Sequence, residues 1–100
     1  MPNPVSDFPW KWKHVNSTVL VKTGAGALHT IVVNGLTTVG DITVYDGVNA
    51  GGVVIAVIHL ATATSISVQP ITLTYDLEIG TGIYVAYDQS VAADLTVTYK

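Results

Sequence analysis

Residues 71–78 read ITLTYDLE, and this stretch has the clearest periodicity in the chain. Apolar side chains at Ile71, Leu73, Tyr75 and Leu77 alternate with polar ones between them. Because successive side chains of a strand point to opposite faces, the alternation predicts a strand with one buried face and one exposed face. No helical period competes with this pattern elsewhere in the chain.

The same alternation recurs over residues 42–45, 83–87 and 95–99, and turn residues separate these segments. Gly24-Ala25-Gly26 predicts one turn. Asn34-Gly35 predicts a two-residue hairpin, because both central positions of a type I′ turn need a positive φ. The chain is therefore expected to form seven or eight antiparallel strands in a sandwich or barrel.

Three further segments are predicted to be strands. Residues 15–23 are expected to form one continuous opening strand, and residues 66–68 a short strand that ends before Pro70. The segment Val53–Leu60 is apolar on both faces apart from His59, as in a strand that is buried on both sides. It is therefore the best candidate for the centre of the core.

Composition supports a single all-β domain. The chain has 100 residues, which is the size of one domain, and 37 of them are Val, Ile or Thr, whose stiff side chains favour strands over helices. Cysteine is absent, so no disulfide can form.

Hydrophobic residues make up 49% of the chain and charged ones 11%, and so small a domain cannot bury all of its apolar surface. We expect a partner to cover part of it.

Several partners and cofactors are not expected. A net charge of −3 without arginine argues against nucleic acid. Residues 47–75 carry no charge, but polar residues interrupt them, and the unbroken apolar run at 53–58 is far shorter than the roughly 20 residues of a membrane span. No signal peptide is predicted, which favours synthesis in the cytoplasm. Residues 24–26 lack the rest of a dinucleotide motif, and residues 46–49 offer too few oxygen ligands for Ca²⁺.

Catalytic chemistry is not indicated either. His14, His29 and His59 lie on different segments, and each is expected to be satisfied by a hydrogen bond rather than by a metal ion. No motif joins them to the six aspartates or to Glu78, so a small enzyme or an inhibitor is the least favoured alternative. The chain is predicted not to be an enzyme and to need no cofactor.

The candidate interaction residues lie in the first thirteen positions, which are predicted to form an extended arm ahead of a sandwich domain at 14–100. Prolines favour extended backbone there, and tryptophans are common anchors at protein interfaces. The rings can fold back on their own domain as a lid, but contact with another subunit is the favoured reading. The predicted interaction residues are Pro4, Phe8, Pro9, Trp10, Lys11, Trp12 and Lys13.

Four stretches and one glycine turn resemble, in the same order, segments of small structural proteins of tailed bacteriophages. The longest is residues 21–34, VKTGAGALHTIVVN, which is followed by ITVYDG at 42–47 and by a Gly51-Gly52 turn. IGTGIYV at 79–85 and LTVTYK at 95–100 complete the series. The resemblance covers residues 19–100 and leaves the arm outside.

The resemblance implies a virion protein with a β-sandwich of jelly-roll type. It is similar to capsid decoration or cement proteins, which trimerise, bind the major capsid protein on the outer surface of a phage head and stabilise the shell. Its expected location is therefore the capsid surface of the virion. The alternative is a receptor- or carbohydrate-binding module of a phage tail or fibre, for which Trp10, Trp12, Tyr84 and Tyr87 are the candidate residues.

Overall fold

A computed structural model of the protein describes residues 10–60, 71–88 and 91–100. These residues form strands joined by turns and loops, and none of them belongs to a helix long and apolar enough to cross a membrane. The predicted short strand at 66–68 lies outside the described residues. The strands are β1 (Lys11–Val15), β2 (Val19–Thr23), β3 (Gly26–Thr38), β4 (Gly40–Asp46), β5 (Val53–Leu60), β6 (Ile71–Ile79), β7 (Gly82–Tyr87) and β8 (Ala92–Tyr99).

The strands form two antiparallel sheets of four, in the orders β1-β8-β3-β6 and β2-β7-β4-β5. Strands pair from the two ends of the chain inward: β1 with β8, β2 with β7, β3 with β6 and β4 with β5. Contacts of β3 with β8 and of β4 with β7 complete the sheets. The predicted all-β sandwich is confirmed at this level.

The core fills the space between the two sheets. Each strand contributes the side chains of its inner face, as the period-two pattern predicts for a sandwich. Residues 42–45, 83–87 and 95–99 place their apolar residues inward as expected, whereas Ile71 and Leu77 remain partly exposed because β6 is an edge strand. The largest fully buried side chains are Leu28, Ile31, Ile42, Ile79, Ile83, Leu95, Val15, Val33, Val44, Val85 and Val97.

The predicted opening strand at 15–23 is wrong, because the chain forms two strands there. β1 belongs to the first sheet and β2 to the second, and residues 16–18 carry the chain from one to the other. Thr18 fixes this crossing, since its Oγ1 accepts a hydrogen bond from the backbone N–H of Tyr87 at 2.9 Å. Local side-chain pattern does not reveal a change of sheet.

Asn34-Gly35 does not form the predicted hairpin. Both residues lie inside β3, at a shift of register against β8 between Val33 and Gly35. The Asn34 side chain donates to Thr96 Oγ1 at 3.0 Å, which ties the irregular position to the neighbouring strand. An irregularity inside a long strand uses the same residue types as a tight turn.

The prediction that Val53–Leu60 lies at the centre of the core is also wrong. β5 is an edge strand, and of its side chains from Val53 to His59 only Ile58 is buried. Val53 is 73% exposed, Val54 52% and Val57 55%. The strand has two apolar faces, but the sandwich covers only one of them.

Asp46 joins the loop after β4 to the turn between β6 and β7. Its carboxylate accepts hydrogen bonds from the backbone N–H groups of Gly80 (3.0 Å), Thr81 (2.9 Å) and Gly82 (3.3 Å). These hydrogen bonds, of which the one from Gly80 contributes most, lower the pKa of Asp46 from its ordinary value of 3.8, although desolvation opposes them. The Asp46 carboxylate thus holds the loop and the turn together.

Tyr87 connects the two sheets through its hydroxyl. The oxygen lies 3.2 Å from the carbonyl oxygen of Val15 in β1 and 3.0 Å from that of Ala93 in β8, and it donates its proton to this pair. Burial, with a smaller contribution from the charge of Asp94, raises the pKa of Tyr87 to about 12. The ring packs against the core.

We predict that Asp46→Asn lowers the melting temperature at neutral pH and makes the melting temperature depend less on pH in the acid range. The folded pKa of Asp46 is depressed, so its stabilising contribution is complete above the ordinary value and is lost as the pH falls through the folded pKa. Thermal unfolding by circular dichroism between pH 2 and 7 measures both effects. Glu78→Gln is the control, because it removes a carboxylate from the end of β6 without touching the turn amides; equal acid dependence in wild type and Asp46→Asn would contradict the assignment.

We predict that Tyr87→Phe costs about 1 kcal/mol of folding free energy at pH 7, since two part-buried carbonyl groups lose their donor. The raised pKa contributes stability that is complete below pH 10, the ordinary value, and is lost as the pH rises through about 12. Urea denaturation at pH 7, 10 and 12 checks the prediction. Wild type should lose its advantage over the variant at the highest pH; a constant difference would show that the hydroxyl does not titrate as proposed.

Candidate functional site

The structure places four of the seven predicted interaction residues. Lys11, Trp12 and Lys13 belong to β1 and pair with Tyr99, Thr98 and Val97 of β8. These three residues, which were predicted to lie in the arm, are therefore part of the sandwich. Trp10 directly precedes β1. Pro4, Phe8 and Pro9 lie outside the described residues.

Trp10 folds back onto its own domain, as in the less favoured of the two readings of the arm. Its ring stacks on that of His29 in β3, with centroids 4.1 Å apart and planes 6° from parallel. His29 in turn pairs through Nδ1 with the carboxylate of Asp76 in β6. Asp76 has a left-handed φ of 50° and lies where β6 shifts register against β3. Three segments distant in sequence thus meet at one end of the first sheet.

An open cleft of about 550 Å³ lies beside this stack. Trp10 forms one side, and the end of β6 contributes Asp76, Leu77 and Glu78. Lys100 and the start of β3 complete its lining. The lining residues thus include a tryptophan, two acidic residues and one lysine.

Trp12 does not line this cleft. Trp12 is 71% exposed. It pairs in register with Thr98 of β8, which pairs with Thr30 of β3, and Thr30 pairs with Thr74 of β6. The hydroxyls of Thr30 and Thr98 lie 2.6 Å apart and bond to each other. The threonines of this row therefore satisfy part of their own hydrogen bonding.

Each of the three histidines pairs with an aspartate of another strand or segment. His14 pairs with Asp94, His29 with Asp76, and His59 Nδ1 lies 2.5 Å from the Asp41 carboxylate. The prediction that each histidine is satisfied separately is confirmed. In residues 10–60, 71–88 and 91–100, no three His, Asp or Glu side chains gather as a metal site.

The outer face of the second sheet carries an apolar row, a feature that the sequence analysis did not predict. A row across it joins Leu20, Tyr84, Tyr45 and Val54 in register. The rings of Tyr45 and Tyr84 are 6.1 Å apart and tilted by 49°. Val57 continues the apolar surface along β5. The sequence signal for this surface is the pair of apolar faces of Val53–Leu60, a pattern that also fits a strand buried on both sides.

Three of the four edge strands in the described part of the chain carry features that oppose pairing with another chain. β1 contains Lys11 and Lys13, and β6 contains Glu78 and the irregular position Asp76. β2 is only five residues long, shifts register against β7 and contains Lys22. Charges and irregularities of this kind protect natural sheet edges.

β5 lacks this protection. It is eight residues long and contains no Asp, Glu, Lys or Arg. Its one titratable residue, His59, is already bonded to Asp41. A register shift interrupts its pairing with β4 opposite Val44 and Tyr45, but residues 56–60 pair regularly. This leaves a regular, uncharged edge beside the apolar face.

The four aromatic residues proposed for a carbohydrate site do not form one site. Tyr84 packs on Tyr45 in the second sheet, and the hydroxyl of Tyr87 bonds to carbonyls of the first sheet. Trp12 lies on the exposed side of β1, and Trp10 alone of the four lines the cleft.

Comparisons with models of protein families, with curated proteins and with solved structures find no match for this chain.

We predict that a chain beginning at Trp10 is more stable than one beginning at His14, because it keeps β1 and the stack on His29. The shorter chain loses three of the five register pairs of β1 and the stack. It is expected to be less stable by roughly 1–3 kcal/mol. Chemical denaturation of the two chains measures the difference, and equal stability would contradict the assignment of β1 to the sandwich.

Proposed function

We propose that the protein is a structural protein of a phage particle, a decoration or cement protein that forms homotrimers on the outer surface of the head. The observation that carries the proposal is the unprotected edge of β5 with the apolar outer face of its sheet. We assign this surface to contact between copies of the chain. The capsid protein is the second partner of the assembly.

The edge and the face have the properties of a contact surface. The exposed valines of β5 carry no charge that would repel a second copy, and the backbone groups on its outer side, which no described strand pairs with, can pair with another strand. Tyr45 and Tyr84 add aromatic area beside the edge, and aromatic side chains are enriched where proteins associate. Covering this surface removes from water the apolar area that the sandwich leaves outside.

The order of the strands supports a sandwich of jelly-roll type. In such a fold a long antiparallel ribbon is rolled up, so that the first strand pairs with the last and the innermost two pair with each other. The pairs β1/β8, β2/β7, β3/β6 and β4/β5 follow this rule. Jelly rolls are frequent in viral capsid proteins and in lectins, so the topology agrees with the proposal without selecting between these uses.

The stretches that resemble phage structural proteins are connected physically in this fold. Residues 42–47 end in Asp46-Gly47, and the Asp46 carboxylate binds the backbone of residues 80–82, which belong to the stretch at 79–85. Residues 21–34 and 95–100 meet where β3 pairs with β8. The shared stretches thus support one another in the folded domain, as expected if they define a common architecture.

A decoration protein acts through binding free energy and needs no catalytic group. It stabilises a shell because it binds the assembled form in preference to free subunits. A trimer strengthens each contact through multivalency, since the second and third contacts form at a high effective concentration. This chain exposes apolar side chains that can supply such contacts.

Light scattering coupled to size-exclusion chromatography tests the contact between copies. Val54→Lys with Val57→Lys places two charges on β5 and is expected to convert a trimer into a monomer that remains folded. Thr72→Lys with Thr74→Lys is the matched control, because it adds the same charges to exposed positions of the edge strand β6. A wild type that is monomeric at all concentrations, or a control that dissociates equally, would overturn the assignment of β5.

Binding to decoration-free heads of the phage that carries the gene tests the role in the virion. Wild type is expected to co-sediment with the heads and to raise their melting temperature. The double lysine variant of β5 should bind far more weakly, because it lacks multivalency. A trimer that does not bind the heads would contradict the proposed decoration role while leaving the contact between copies intact.

A further inference from the structure

We propose that the cleft beside Trp10 binds a neutral carbohydrate. This site lies at the end of the first sheet, whereas the contact proposed between copies uses the second sheet. The inference therefore does not depend on the proposed function. It rests on the geometry of the aromatic stack, on the shape of the cleft and on the distribution of charge around it.

The aromatic side of the cleft is held in place before any ligand arrives. His29 covers one face of the Trp10 ring, and the Asp76 carboxylate holds the His29 ring through Nδ1. Trp10 remains only partly buried and borders the cleft. A fixed indole surface suits the apolar C–H face of a pyranose ring, because little side-chain entropy is lost on binding.

Gly26 lines the cleft, and the close approach of the Lys100 backbone requires glycine at this position. A Cβ there would lie 2.0 Å from the carbonyl oxygen of Lys100, so a larger residue does not fit without moving the strand ends. The backbone groups of Ala27 and Lys100 also bond to each other in both directions, at 3.0 and 2.9 Å. The volume of about 550 Å³ lies within the range of small-molecule sites and has room for one or two sugar units.

The charges select against anionic ligands. Asp76 and Glu78 outnumber Lys100 and would repel a carboxylate, sulfate or phosphate. A neutral polyol can use all three groups, since its hydroxyls donate to carboxylates and accept from an ammonium. Leu77, which is partly exposed in the same cleft, adds an apolar contact.

A glycan array tests the proposal with the full chain. The probes are neutral hexose and N-acetylhexosamine oligosaccharides, with sialylated and sulfated ones beside them. Wild type is expected to bind neutral probes, and Trp10→Ala should weaken that binding by about tenfold or more. Trp12→Ala is the matched control, because it removes an exposed tryptophan two residues away that does not line the cleft.

Two further measurements separate a binding role from a structural one. Circular dichroism establishes that the variants are folded, and Glu78→Gln should weaken the neutral glycan several-fold without changing stability, because Glu78 is exposed. Titration of the protein with the glycan that binds on the array, followed by NMR, should shift the indole N–H signal of Trp10 and leave that of Trp12 in place. Absence of binding to neutral probes, preference for sulfated or sialylated ones, or equal loss in both tryptophan variants would overturn the proposal.

Discussion

A sandwich of two sheets has one interior, so each strand can bury only one of its two faces. This constraint determines how the apolar residues of the chain are distributed. The inner faces use the large aliphatic residues of β3, β4, β7 and β8, many of which are fully buried. Apolar residues on the other side of a strand must then face outward, as Val54 and Val57 do on β5. The exposed surface of the second sheet is a direct consequence of a sequence that is apolar beyond what its own fold can cover.

The fold class follows from residues whose pattern is local. Alternation at Ile42 and Val44, or at Leu95 and Val97, identifies strands and their inner faces because period-two patterning is a property of the strand itself. The end of β1 at Val15 and the start of β2 at Val19 cannot be predicted from this alternation, because the change of sheet depends on the contact of Thr18 with β7. Local pattern identifies a strand without identifying its partners.

The errors at Asn34-Gly35 and in β5 have the same physical origin. Asn34 is suited to a turn, but pairing of β3 with both β6 and β8 holds it inside a long strand. Hydrophobicity in β5 predicts burial only if another layer exists to bury it, and whether a strand lies at the edge is decided by the whole topology. The candidate site shows this limit most clearly. Composition drew attention to Trp10, but its contact with His29 and the link to Asp76 depend on the register among β3, β6 and β8.

The two proposed surfaces can operate at the same time because they belong to different sheets. The proposed association through β5 uses an edge of the second sheet that no described strand pairs with, while Trp10 and its cleft lie on the first sheet. An oligomer built in this way would present one cleft per subunit. An open site with one aromatic ring binds a single sugar weakly, but several such sites on one particle bind a surface rich in glycans with much greater avidity. Assembly would therefore strengthen the binding of glycans. The exposed apolar surface would hold the subunits together, and the clefts of the same particle would bind the glycans.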